Sequence, residues 1–259
     1  MKKVFLVLGV LVCTSSAMAL VFTEDFESYA TSGAPNPTWT EPPSYGILPV
    51  TTTANHTPAG SKSLLVNNNY GTGKRGEQHT FGMTLVGTDT DPVSLDYWIR
   101  AKDGASRRRG DVIVMLSMGE VGTDFTLPAV TDAPLATAIP VLAYAKPFSD
   151  NVSLYVFDGK QWTRGTPSLD STSGAWENVD MDVKSTTMSL STSTYGNYYP
   201  SWARQYLGGF DRVSVLYEGR SPAGAYVYSV DDITVSGIPE PATLVLLGLS
   251  GLFLRRRRA

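Results

Sequence analysis

The chain has 259 residues, one cysteine, two histidines and a formal charge of −3. Its ends hold six of the 21 basic residues and one of the 24 acidic ones, which leaves residues 20–237 at −8. That acidity argues against nucleic acid or an anionic membrane as partner. The lone Cys13 rules out a disulfide framework, and two histidines are too few for a multi-histidine zinc site.

Lys2 and Lys3 precede an apolar run, Val4 to Val12, and Ala17-Met18-Ala19 supplies small residues in an A-x-A arrangement. This is the pattern of a secretory signal, so residues 1–19 are expected to be removed by signal peptidase, with Ala17 and Ala19 marking the cut. The segment from 20 to 237 fits one domain.

Period-two alternation dominates that domain. It predicts strands over Val21–Glu27, Lys62–Asn67, Gln78–Leu85, Val93–Ala101, Asp111–Met118, Ile139–Ala145 and Val152–Asp158. It continues over Trp176–Val183, Thr186–Ser191, Phe210–Tyr217 and Tyr226–Val235. No long 3.6-residue period occurs, so the fold class is all-β, an antiparallel sandwich or barrel. Residues 30–49 read as a long surface connection. Arg107, Arg108 and Arg109 read as a solvated hairpin turn. Asp158-Gly159 reads as a type I′ hairpin turn. Residues 195–206 read as another connection, rich in aromatics.

Three groups of side chains have chemical potential. Glu24, Glu27, Asp231 and Asp232 lie on the first and last strands; if those strands pair, the carboxylates converge, and calcium would take such oxygens. The alternative is solvated strand-end acids. Tyr195, Tyr198, Tyr199 and Trp202 offer ring faces for sugar stacking, with Asn67, Asn68, Asn69 and Tyr70 as further hydrogen-bonding groups. The alternative is packing of those rings onto the sandwich. Glu177, Asp180 and Asp182 are the nearest approach to a glycosidase carboxylate set. Only Asp180 and Asp182 share a strand face, so the pattern is incomplete and the chain reads as non-catalytic.

The order of motifs resembles the concanavalin A-like jelly roll of lectins, laminin G-type domains and carbohydrate-binding modules. Asp25-Phe26-Glu27 opens it, Gly60-Ser61-Lys62-Ser63-Leu64 leads into a strand, and Phe157-Asp158-Gly159-Lys160-Gln161-Trp162 and Phe210-Asp211-Arg212-Val213 follow. Val230-Asp231-Asp232-Ile233 closes it. The resemblance implies a β-sandwich whose first and last strands are neighbours, and structural calcium near strand ends.

At the end of the chain, Pro239-Glu240-Pro241 precedes an apolar stretch, Ala242 to Leu254, then Arg255, Arg256, Arg257 and Arg258. As a helix the apolar stretch covers about 20 Å, short of the roughly 30 Å bilayer core. The arginines favour the cytoplasmic side. These three parts resemble the PEP-CTERM sorting signal, here residues 238–259. That resemblance implies removal by an exosortase and a bacterial protein exported through the inner membrane, held briefly by its tail, then placed at the surface or in the matrix. The expected role is a structural or adhesion component associated with exopolysaccharide. A carbohydrate-binding module is the alternative, and a polysaccharide hydrolase ranks last.

Overall fold

The fold comes from a computed structural model that describes residues 19–67, 73–102, 109–130, 133–146, 152–169, 174–194, 196–220 and 227–240. Among these residues fourteen strands form: β1 Ala19–Glu24, β2 Val50–Thr51, β3 Ser63–Asn67, β4 Lys74–Val86, β5 Val93–Lys102, β6 Arg109–Ser117 and β7 Val141–Lys146. They continue as β8 Val152–Phe157, β9 Trp162–Leu169, β10 Trp176–Val183, β11 Thr187–Thr192, β12 Gly196–Ala203, β13 Phe210–Arg220 and β14 Val227–Pro239. No helix is present among the described residues, and so no helix there is long and apolar enough to cross a membrane.

The strands curl into two facing layers. One runs β12-β11-β10-β5-β14, and the other β4-β13-β6-β7-β8-β9. All ladders between them are antiparallel. On its second edge β14 takes β3 along Val227–Val230 and β1 along Ile233–Gly237. The first and last strands are therefore neighbours, as expected. The end of β14 then changes layers, pairing Ile238 with Val86 and Pro239 with Leu85 of β4.

Alternation sets the core. On β5, Val93, Leu95, Tyr97 and Ile99 point inward; on β10, Val179, Met181 and Val183 do the same. They meet Val112, Val114, Leu116, Val213 and Val215 from the opposite layer. Full burial of each such side chain stabilises by about 1.5–3 kcal/mol. The outer strands β12 and β9 each have one partner only, and each carries a proline, Pro200 and Pro167. Proline at an edge blocks further strand addition.

Four expectations change. Residues 196–203 form a strand, since Tyr and Trp suit a pleated surface and an edge tolerates Pro200. Residues 30–49 do more than cross the surface: Trp39 and Leu48 are fully buried in the core, and the segment bridges β4 at Thr40–Gln78 and Gly46–Arg75. The Asp158-Gly159 turn is not type I′, because only Gly159 has positive φ, at 100°. Asp158 Oδ1 instead accepts the Lys160 and Gln161 amides at 2.7 and 2.8 Å. Arg109 begins β6, while Arg107 and Arg108 lie outside the described residues.

Candidate functional site

The β4–β9 layer is buried on both sides at its centre, along Asp111–Ser117 of β6 and Val213–Tyr217 of β13. Its outer surface carries a second apolar cluster in which Val121, Phe125, Leu127 and Val130 cover Ile113, Met115, Leu216 and Trp162. Among the described residues, no second apolar cluster covers the centre of the β10–β5–β14 layer. The residues that alternate with its buried ones are half-exposed: Ser94, Asp96, Trp98 and Arg100 on β5, and Trp176, Asn178, Asp180 and Asp182 on β10.

Register brings these rows together. Asp180 lies directly opposite Asp96, Asn178 opposite Trp98, and Trp176 opposite Arg100. Directly opposed residues hold their Cβ atoms about 5 Å apart. The Asn178 amide donates to Asp96 Oδ2 at 3.0 Å. The Ser94 hydroxyl donates to Asp182. Arg100 Nε donates to the Gly174 carbonyl at 2.5 Å. Burial, followed by repulsion from Asp182 and Asp96, pushes the Asp180 carboxyl up to about 6. Burial also raises Asp96; the Asn178 amide opposes that shift, Asp232 adds to it, and His56 lowers it.

A bulge completes the patch. Between Asp231 and Thr234, β14 has one residue more than β5 has between Trp98 and Asp96. Asp232 adopts a left-handed φ of 48° there. The two acids hold the 55–57 loop: Asp231 Oδ2 accepts the His56 amide at 2.8 Å, and Asp232 Oδ1 accepts the Thr57 hydroxyl at 2.7 Å. Asp232 Oδ2 meets His56 Nδ1 at 2.6 Å. The imidazole lies flat on Trp98, with centroids 3.7 Å apart and planes at 15°. It meets Trp176 edge-on at 5.7 Å and 66°. His56 thus covers one face of Trp98 and turns its Nε2 edge away from Asp232. Burial raises Asp231 to about 6, against the His56, Asp232 and Thr57 amides that donate to it.

The acids expected at the strand ends occupy three separate sets. Glu24 is buried and accepts the Phe26 amide at 2.8 Å, the Tyr29 hydroxyl at 2.7 Å and Trp39 Nε1 at 3.0 Å. Glu27 accepts the Ser61 and Lys62 amides, each at 2.7 Å. Asp231 and Asp232 hold the 55–57 loop. Among the described residues no group of three or more Asp, Glu, His or Cys side chains is placed to hold a metal ion.

Trp202 lies opposite Met188 and packs on the main core. Tyr195, Asn68, Asn69 and Tyr70 lie outside the described residues, and Asn67, Tyr198 and Tyr199 are placed only as strand backbone. Glu177 accepts the Thr194 amide at 2.7 Å, away from the Asp180 and Asp182 row. Ala19 opens β1 opposite Gly237. Pro239 ends β14, and the Glu240 amide donates to the Thr84 carbonyl at 2.8 Å. Ala17, Pro241 and Arg255 to Arg258 lie outside the described residues.

Sequence reasoning missed the His56–Trp98–Trp176 patch. A signal existed: Trp98 and Trp176 stand at outward positions of strands whose inward positions are apolar, where polar residues are the norm.

The fold is that of a jelly-roll, galectin-like β-domain. Similar solved structures include a carbohydrate esterase, vb_24B_21, from Shiga toxin-encoding bacteriophage phi24B, at 8% identity and TM-score 0.53, covering 86% of this chain and 100% of that one. The carbohydrate recognition domain of Emp47p matches at 10% identity and TM-score 0.51, over 86% and 98%. A galectin-like protein of unknown function from Bacillus subtilis matches at 11% identity and TM-score 0.51, over 86% and 97%. No curated protein matches the sequence. Residues 237–258 match the PEP-CTERM protein-sorting motif. That motif implies export, a transient membrane anchor and processing by exosortase-type machinery.

Proposed function

We propose that the protein is a non-catalytic component of the bacterial surface or extracellular matrix that associates with exopolysaccharide through the open face of its β10–β5–β14 layer. Signal peptidase releases the front end, and exosortase-type processing removes the tail. The observation that carries this reading is the half-exposed patch, free of apolar cover among the described residues, on a fold whose other sheet carries a second apolar cluster on its outer surface. The Trp176 ring offers a surface for the C–H face of a sugar. Asn178, Asp96, Asp180 and the imidazole of His56 offer donors and acceptors for hydroxyls. The phage carbohydrate esterase and the Emp47p carbohydrate recognition domain, which share the fold, are in keeping with it.

We read the role as binding without catalysis: Asp96 and Asp180 lie half-exposed on a sheet surface, and an open cavity of about 310 Å³ at Gln161–Arg164 is on the other layer. A glycan array tests binding: the wild type is retained on at least one polysaccharide and Trp176→Ala is not. Equal retention of both would remove the patch from the account. Sugar release from a bound polysaccharide that disappears in Asp180→Asn would overturn the non-catalytic part.

A further inference from the structure

The patch has a lopsided charge. Four carboxylates, Asp96, Asp180, Asp182 and Asp232, face it from β5, β10 and β14. One cationic side chain, Arg100, and one imidazole, His56, accompany them. Arg100 is tied through Nε to the Gly174 carbonyl. His56 is tied through Nδ1 to Asp232. The central pair is Asp96 directly opposite Asp180, and His56 opposes the upward shift of Asp96 without cancelling it. The side-chain amide of Asn178 gives one hydrogen to Asp96.

Resting on the glycan-binding reading, we propose that this face selects glycans by charge. It admits neutral and amino-bearing sugars and rejects uronic-acid or sulfated chains. The reasons are short-range and long-range. A glycan laid on Trp176 and running along β10 brings its following units over Asn178, two residues on, and over the opposed Asp180 and Asp96, four residues or about 13 Å on. Hydroxyls donate to those carboxylates, and a ring ammonium makes stronger, charge-assisted bonds. A carboxylate or sulfate in the same place meets two acids at close quarters in a half-buried setting, where screening is weak. At longer range the −8 charge of residues 20–237 slows the approach of any polyanion.

The test uses the full chain on a biosensor with four probes: a neutral β-glucan, partly deacetylated chitosan, polygalacturonate and dextran sulfate. Measurements in 0.5 M NaCl suppress general attraction between chitosan and an acidic protein. Retention is counted as specific where Trp176→Ala abolishes it. The expected result is at least tenfold tighter binding of the glucan or chitosan than of either polyanion. In the double variant Asp96→Asn/Asp180→Asn that gap shrinks to threefold or less. Thermal melts confirm that the variant is folded, which loss of two opposed acids favours. Specific binding of a polyanion as tight as that of the other probes overturns charge selection and leaves the glycan reading standing. A gap unchanged in the double variant overturns the assignment to Asp96 and Asp180. Specific retention of no probe removes the glycan reading, and charge selection with it.

Discussion

His56 Nδ1 sits 2.6 Å from Asp232 Oδ2, one of several contacts that join the 55–57 loop to the last strand of the sandwich. It fixes the imidazole on Trp98 and so sets the shape of the open face. Asp232 also accepts from Thr57 and occupies a left-handed backbone position, which Asn tolerates and Ala does not. Asp232→Ala is expected to cost about 1–3 kcal/mol of stability and to weaken glycan retention about tenfold. Asp232→Asn is expected to lose less of both. Denaturant titration and the biosensor check the pair of variants.

Glu24 is a buried hub for three donors, and it ties β1 to Tyr29 and Trp39. Burial and the neighbouring Glu24 push the Tyr29 hydroxyl up to about 12, although hydrogen bonds to Thr38 and Ser28 oppose this. Glu24→Ala leaves the indole and phenol donors unpaired in the core. The expected loss is about 3 kcal/mol or more. Equilibrium unfolding of the variant against the wild type measures it.

Glu77 makes stability depend on pH. It is fully buried in β4, and its Oε1 accepts the Leu48 amide at 3.1 Å. Burial is the main cause that moves its carboxyl up to about 7; the Leu48 amide lowers it, and Glu41 raises it further. The folded chain therefore keeps a proton that the unfolded chain releases near 4.5. The sign follows: stability is greatest below about 4.5, falls as pH rises towards 7, and is flat for this group above that. Glu77→Gln is expected to flatten the slope and to raise stability at pH 8 by about 2–3 kcal/mol. Melting temperatures at pH 4.5 and pH 8 decide the matter.

The final strand continues into the sorting motif. Gly237, Ile238 and Pro239 belong both to β14 and to the matched residues 237–258. A chain ending after Gly237 loses the Ile238–Val86 and Pro239–Leu85 pairing and the Glu240 amide bond to Thr84. It is expected to melt a few degrees below a chain ending after Glu240, for a loss of about 1 kcal/mol. Calorimetry on the two chains provides the comparison.

The layers were legible because alternation is strong where one face is wet. β10 runs Trp176–Val183 in both readings, since Val179, Met181 and Val183 are buried and Asn178, Asp180 and Asp182 are not. The strand at Gly196–Ala203 was hidden by Asn197 and Pro200, which read as turn residues until the strand is known to be an edge. The patch was hidden for another reason. Asp96 and Asp180 are opposed only through the β5–β10 register, and His56 arrives from an irregular loop. Local pattern holds neither fact. The paired acids at 231–232 stood out in the sequence, but their role as anchors for residues 56 and 57 depends on a one-residue bulge in β14.

The central claim is that the open face of the β10–β5–β14 layer holds polysaccharide. The most direct measurement is affinity electrophoresis of the full chain through gels containing the extracellular polysaccharide of the cells that make it. The account predicts strong retardation of the wild type and free migration of Trp176→Ala with an unchanged melting temperature. Equal mobility of the two, with or without polymer in the gel, would contradict it.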